Sequence, residues 1–117
     1  EAANLFDTTA PFDAILLSNL LCRLTHPENC LRQFVDSDKY IKSGGILVIA
    51  SPNTWMEQYT PPESFLDGED SDATLAAIGL LLPGFELIHQ EDIPFMIREH
   101  RRKYEYIISQ GSVWRKL

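Results

Sequence analysis

Two uninterrupted aliphatic runs dominate the hydrophobic pattern of the chain. One comprises residues 14–17 within the segment 12–19, and the other comprises residues 46–50. Runs without polar alternation are typical of parallel strands that are covered on both faces. We therefore expect two parallel strands that are buried on both sides, with the strand 46–50 at the centre of the fold.

The residues between these runs predict a helix. Leu31, Phe34 and Val35 recur at helical spacing and form an apolar stripe. Thr25 and Glu28 have the spacing of a capping box, and Pro27 is tolerated in a first turn. We expect the helix to run to about residue 40 and to exit at the glycine pair 44–45. Strand, helix and strand then form a right-handed βαβ unit.

The second half of the chain predicts one more helix and two more strands. The expected elements are an irregular segment 53–71, a helix 72–82 capped by Asp72, a strand 85–91, a charged connection 93–103 and a strand 104–110. Because only a short connection separates the last two strands, antiparallel pairing is easier than a crossover. The prediction is a single α/β domain over residues 1–117, in the order β-α-β-α-β-β, with parallel strands and an antiparallel last strand.

Composition and charge narrow the classes of function. The chain has 117 residues, 44% of them hydrophobic, and a net charge of −7. Such a charge argues against non-specific binding to nucleic acid and against docking on anionic membranes. No apolar run approaches the roughly 20 residues that cross a bilayer. Two cysteines, Cys22 and Cys30, are few for a secreted scaffold of this size, so we expect reduced thiols in the cytoplasm.

Polar residues follow three of the expected strands. They lie at 18–19, 51–55 and 90–92. The carboxyl ends of parallel strands meet at one edge of a sheet, which is where ligands bind in open α/β folds. Short polar groups beside Trp55 could hold a nucleoside or an amino acid. A purely structural loop is the alternative.

Other candidate sites are weaker. Cys22, His26 and Cys30 recur every four residues, but Pro27 interrupts their common helical face and no fourth metal ligand follows at a standard spacing. The glycine pair precedes its strand, whereas a dinucleotide-binding loop follows one. The basic run 98–103 is either a solvated turn or the source of an Arg that binds a substrate carboxylate.

Several segments resemble a known family. Residues 12–21, 31–45 and 46–52 resemble the second half of a class I S-adenosylmethionine-dependent methyltransferase. In that fold these segments are the fourth strand, a helix and the fifth strand, and the last strand is antiparallel and inserts beside the fifth strand. Residues 20–24, 51–61, 92–104 and 112–115 resemble, more narrowly, the mercaptohistidine N-methyltransferase domain of ovothiol synthases. This resemblance covers nearly the whole chain, and it implies methyl transfer from S-adenosylmethionine to an imidazole nitrogen of a thiohistidine.

The resemblance also implies roles for individual residues. Glu1 and Ala2 are expected on the adenine side of the cofactor, and Ser18, Asn19 and Leu20 against its methionine portion. Trp55, Glu57 and Tyr59 are expected to wall or orient the acceptor ring. Arg98, with Arg23 as second choice, is expected to hold the carboxylate of the acceptor. No catalytic base and no metal ligand is assigned.

The chain departs from the family in one respect. The glycine-rich loop and the acidic residue that binds the ribose belong upstream of the matched segments. We therefore expect the C-terminal half of the domain, inactive alone and completed by the N-terminal half. A homo-oligomer through the exposed first strand is a further expectation. The alternatives are a methyltransferase for another small molecule, and a non-catalytic half-domain that pairs with a partner chain.

Overall fold

The structure, a computed structural model, describes residues 10–66 and 70–117. Its elements are β1 (Phe12–Ser18), a 3-10 turn (Leu21–Arg23), α1 (Pro27–Asp36), β2 (Ile41–Ser51), a second 3-10 turn (Pro62–Ser64), α2 (Ser71–Leu81), β3 (Phe85–His100) and β4 (Lys103–Lys116). The order β-α-β-α-β-β confirms the prediction from the hydrophobic pattern.

The strands form one mixed sheet in the order β1-β2-β4-β3. β1 and β2 pair in parallel, whereas β4 is antiparallel to both β2 and β3. The antiparallel last strand is therefore confirmed, and it lies between β2 and β3. β1 and β3 are the edge strands of the described sheet.

The core lies on one face of this sheet. α1 contributes Leu31 and Phe34, each 0% exposed, and α2 contributes Ile78. Trp114 of β4 packs close to Gly79 of α2, where a Cβ atom would lie 3.5 Å from the indole ring. Each large apolar side chain buried in this way contributes about 1.5–3 kcal/mol to folding.

The opposite face of the sheet is open. In β1, Ile15 and Leu17 are buried but Leu16 between them is 64% exposed. In β2, the residues facing the helices are buried, while Val48 and Ala50 are only partly covered. The prediction that both strands are buried on both faces is wrong, because both described helices pack on one side.

The glycine pair does not end the helix. α1 ends at Asp36, and Gly44 and Gly45 lie inside β2 at a register irregularity opposite β1. Gly44 has a φ of +84°, which favours glycine, and a Cβ atom on Gly45 would lie 2.7 Å from Ile41 Cγ1. The pair allows the strand to bulge and still pair with β1.

The helix caps also differ from the expected ones. The N-cap of α1 is His26 rather than Thr25, and its side chain makes no capping hydrogen bond. In α2 the N-cap is Asp70 rather than Asp72, and its carboxylate accepts a hydrogen bond of 2.9 Å from the Ala73 N–H. A carboxylate at this position also interacts favourably with the helix dipole.

Residues 93–103 are not the charged connection that the sequence predicted. β3 continues to His100, β4 begins at Lys103, and two residues connect them. Asp92 pairs with Gln110, which pairs with the last residue of β2, Ser51. The hairpin beyond this row, residues 93–109, therefore projects past the sheet, and we call it the hairpin arm. Alternating apolar side chains continue along both of its strands, and this strand signal was masked by the nearby charges.

Candidate functional site

The three polar segments lie side by side in the sheet, but only two of them are strand ends, whereas the sequence predicted three. Ser18 pairs with Ala50, Ala50 with Gly111, and Gly111 with Glu91, so these residues form one row across the sheet. β1 and β2 end at this row, whereas β3 runs through it into the hairpin arm. The row therefore borders an open edge on one side and the arm on the other.

A groove of about 400 Å³ lies on the open face beside this row. We call it the open-face groove, and it is lined by Leu16, Ser18, Asn19, Val48, Ala50, Ile93, Phe95 and Ser109. Its volume falls within the range of small-molecule sites. Most of its wall is apolar, and the polar groups are concentrated where β1 ends.

Asn19 is the most constrained polar residue of the groove. Its φ is +52°, a left-handed conformation that asparagine tolerates better than most residues. Its N–H donates to the Ala50 carbonyl at 2.7 Å, and its Oδ1 accepts a hydrogen bond of 3.1 Å from Ser109 Oγ. Because the side-chain oxygen is engaged, the Nδ2 amide group is the part of Asn19 that can donate to a ligand.

Ser109 was missed in the sequence. It is 2% exposed and lies 90 residues from Asn19 along the chain. Only the pairing of β4 between β2 and β3 brings it to the end of β1. The one local signal is a hydroxyl residue that follows two isoleucines in a strand, and this signal does not identify the partner.

Arg23 and Tyr59 are brought together next to this edge. The Arg23 guanidinium carbon lies 4.9 Å from the centre of the Tyr59 ring, and a guanidinium nitrogen lies 3.9 Å from Met56 Sδ. The buried Thr60 hydroxyl donates to the Leu24 carbonyl, which ties the segment after β2 to the segment after β1. We call Arg23, Met56 and Tyr59 the Arg23 cluster. It offers an exposed cation that is oriented by an aromatic ring.

The other predicted ring-binding residues are separate from this cluster. Trp55 is half-buried and stacks on Phe65, with ring centres 6.0 Å apart. Glu57 is exposed in the turn between Met56 and Tyr59. Leu20 packs partly buried against the core. Glu1 and Ala2, the residues expected on the adenine side, lie outside the described residues.

Arg98 lies on the hairpin arm, away from the groove. Arg98 pairs with Tyr104. It lies five residues beyond Ile93, which corresponds to about 17 Å along a strand. By strand alternation its side chain is on the opposite face from Ile93 and Phe95, which line the groove. The structure thus brings Arg23 to the strand ends and does not bring Arg98 there.

A second, polar pocket of about 290 Å³ lies at the start of α2. It is lined by Ser71, Asp72, Gln90, Glu91, Asp92 and Gln110. Behind it, Asn53 Nδ2 donates to Gln110 Oε1 at 3.2 Å, and Gln110 Nε2 donates to the Ser71 carbonyl at 2.7 Å. The Asn53 Oδ1 is buried and has no hydrogen-bond partner among the described residues. These bonds join the end of β2 to the root of the arm.

The tip of the arm carries a carboxyl pair. Lys103 Nζ lies 2.9 Å from Glu99 Oε2. The hydrogen bond with Glu105 lowers the pKa of Glu99, and Lys103 lowers it further. The same hydrogen bond raises the pKa of Glu105, because it requires the proton that Glu105 holds. The two carboxyl groups are therefore expected to titrate in separate steps.

The described residues contain no group of three or more His, Cys, Asp or Glu side chains that could hold a metal ion. Cys22 and Cys30 are both buried, whereas His26 is exposed. No helix among residues 10–66 and 70–117 is long and apolar enough to cross a membrane.

Comparison of the chain with protein-family models and with curated proteins found no match. A functional assignment therefore rests on the groove, on the residues that line it and on the resemblance of the sequence segments described above.

Proposed function

We propose that the chain is the C-terminal half of a class I S-adenosylmethionine-dependent methyltransferase that acts on an imidazole nitrogen of a thiohistidine. The observation that carries the proposal is Asn19, held by Ser109 at the end of β1 beside the open-face groove. The strand order β1-β2-β4-β3, with an antiparallel β4 next to β2, supports it. The segments that follow β1 and β2 also support it, because they resemble the mercaptohistidine N-methyltransferase domain of ovothiol synthases.

The groove is suited to the chemistry of methyl transfer. When bound, S-adenosylmethionine supplies an electrophilic methyl group. A neutral imidazole nitrogen would bond the methyl carbon with its own lone pair while the carbon–sulfur bond breaks and the sulfur leaves as a neutral thioether. The ring N–H proton would then pass to water, so the chain has to orient the ring rather than provide a strong base. Apolar walls such as Leu16, Val48 and Phe95 disfavour a charged imidazolium and thereby keep this lone pair available.

The described residues fit part of the cofactor. The Ser18 hydroxyl and the Asn19 amide are donors that suit the carboxylate of its methionine portion, with Leu20 as the adjoining apolar residue. The adenine side, assigned to Glu1 and Ala2, lies outside the described residues. The fit therefore concerns the reacting end of the cofactor.

The acceptor would lie between the groove and the Arg23 cluster. Arg23 is the better placed of the two arginines for the carboxylate of the amino acid, since it follows Asn19 by four residues and is oriented over Tyr59. Trp55 and Glu57 remain proposed as the wall of the ring site. Arg98 would reach this site only through a different position of the hairpin arm.

The test combines calorimetry with a methyl-transfer assay. S-adenosylmethionine and thiohistidine are titrated into this chain and into the longest protein that contains it, and methylated product is measured for both. Binding and turnover by the longer protein support the proposal. An absence of cofactor binding in both proteins overturns it.

A serine variant tests the observation that carries the proposal. Ser109→Ala removes the hydroxyl that orients Asn19, and we expect about a tenfold loss of kcat/KM in the active protein. Ser109→Thr keeps a hydroxyl and should retain most activity. Ser112→Ala is the matched control, because Ser112 is equally buried on β4 but bonds Trp114 Nε1 on the helix side of the sheet. Equal activity of Ser109→Ala and Ser112→Ala would contradict the role of Asn19.

A non-catalytic half-domain is the second candidate. It is favoured by the open face, where Leu16 is 64% exposed, and by the edge of β1, which has no strand partner among the described residues. Such a domain would pair with another chain through that edge. It predicts that neither protein in the calorimetric test binds the cofactor.

A further inference from the structure

The hairpin arm carries apolar side chains on the face that does not line the groove. Strand alternation puts four cross-strand pairs on this face, one of them in the row at the root of the arm, and we call it the outer arm face. From root to tip they are Asp92–Gln110, Pro94–Ile108, Met96–Tyr106 and Arg98–Tyr104. Met96 is 62% exposed, Tyr106 65% and Ile108 52%. A contiguous exposed patch of this kind is typical of an interaction surface.

Charge is distributed unevenly along the hairpin arm and its root. Four of the ten Lys and Arg residues of this acidic chain lie in the segment 98–103 at the tip. The root is acidic, with Asp92 on the outer arm face and Glu91 and Asp72 beside it in the polar pocket. Neither Asp92 nor Arg98 forms an ion pair with another described residue. They lie six residues apart, which is about 20 Å along the strand.

This pattern is self-complementary under a two-fold rotation. If two arms lie antiparallel with the axis level with residue 95, Asp92 of each copy faces Arg98 of the other. Met96 and Tyr106 of each copy then pack on Pro94 and Ile108 of the other. A closed two-fold interface requires this kind of reciprocal contact. A partner with any other sequence would have to reproduce the same spacing of charge and apolar surface.

The size of the arm indicates the strength of the contact. From Asp92 to His100 the strand is about 27 Å long, and a two-stranded face is about 15 Å wide with its side chains. Each copy would bury on the order of 400 Å², to which contacts between the basic tip and the polar pocket are added. Interfaces at this small end of the range belong to weak, reversible complexes.

We propose that the outer arm face is a homodimer interface in which two arms pack antiparallel, with Asp92 of each copy paired to Arg98 of the other. The occupant of this apolar face is a second copy of the same chain. The surface is distinct from the edge of β1, and the proposal does not depend on methyltransferase activity.

The experiment is sedimentation equilibrium over a range of protein concentrations, with circular dichroism as a check on folding. We expect a concentration-dependent dimer with a Kd on the order of micromolar. Arg98→Glu and Asp92→Arg should each weaken it about tenfold or more, because each places like charges opposite one another twice per dimer. The combined Asp92→Arg and Arg98→Glu variant should restore the affinity of the original chain.

Arg32→Glu is the matched control, since Arg32 is an exposed arginine on α1 and undergoes the same change of charge. It should leave the dimer unchanged. A chain that remains monomeric up to about 500 µM overturns the proposal. So does a dimer that persists equally in both single variants, or one that the combined variant fails to restore. Dissociation by Leu16→Lys together with insensitivity to the arm variants would assign the dimer to the open face and the edge of β1 instead.

Discussion

Lys116 closes the C-terminal end of α1 from a distant part of the chain. It is 8% exposed, and its Nζ donates to the carbonyl oxygens of Phe34 at 2.7 Å, Ser37 at 2.9 Å and Ile41 at 3.3 Å. The last turn of α1 has no basic residue of its own. A cation from β4 therefore satisfies carbonyls that every helix leaves without an intrahelical partner.

The loss on substitution can be worked out from these contacts. Lys116→Met keeps the length of the side chain but removes the donor, so the two buried carbonyls, Phe34 and Ile41, lose a charge-assisted bond. A hydrogen bond from a charged donor contributes about 1.5–3 kcal/mol to the free energy of unfolding. The ion pair with Asp38 adds at most about 1 kcal/mol, since Asp38 is 69% exposed. Relief of the buried ammonium offsets part of this sum. We expect the free energy of unfolding to fall by about 3 kcal/mol, which corresponds to a fall in Tm of about 10 °C or more.

The assay is urea and thermal unfolding followed by circular dichroism. Arg115→Met is the matched control, because it removes the neighbouring positive charge but breaks only the half-exposed pair with Glu86, 3.0 Å apart. The free energy of unfolding of Arg115→Met should fall by less than about 1 kcal/mol. If Lys116→Met and Arg115→Met lose the same stability within about 0.5 kcal/mol, then Lys116 does not cap α1 and the reasoning is refuted.

Two further predictions concern the bulge and the arm tip. Gly45→Ala should destabilise the protein by about 1–3 kcal/mol, because its Cβ atom would lie 2.7 Å from Ile41 Cγ1, and unchanged urea unfolding would contradict this. Carbon-detected NMR titration should show Glu99 titrating below Glu105. The stability that Glu99 contributes is present above its unfolded pKa and is lost as the pH falls through its lowered pKa. The stability that Glu105 contributes is present below its unfolded pKa and is lost as the pH rises through its raised pKa. Lys103→Gln should raise the pKa of Glu99, and coincident titration of the two carboxyl groups would rule out the hydrogen bond between them.

The arm shows how local charge can conceal a strand. Arg98, His100 and the adjoining basic residues suggested a solvated connection, yet residues 93–100 pair with β4 almost to the turn. The edge position of β3 tolerates Pro94, which cannot donate a hydrogen bond to a neighbouring strand. The alternation of Phe95, Ile97 and their neighbours contained the correct signal, but such alternation alone does not reveal how far a hairpin projects.

The candidate site was only partly predictable. Ser18 and Asn19 were identified because they end an aliphatic run, and the register puts Ser18 in one row with Ala50 near the end of β2. Arg23 and Tyr59 were expected at the acceptor site, and their contact depends on a long segment folding back over the end of β1. Ser109 could not be found in this way, because nothing near it in the chain points to Asn19.

The sequence by itself determined the order of the elements, the approximate limits of β1 and α2, and the polar ends of β1 and β2. These features depend on hydrophobic period and turn chemistry, which act over a few residues. The tertiary structure alone decided which face of the sheet is covered, which residue holds Asn19 and which cation caps α1. Those contacts join residues 90 and 82 positions apart, for Ser109 with Asn19 and Lys116 with Phe34. They arise from the insertion of β4 between β2 and β3, which no local pattern encodes.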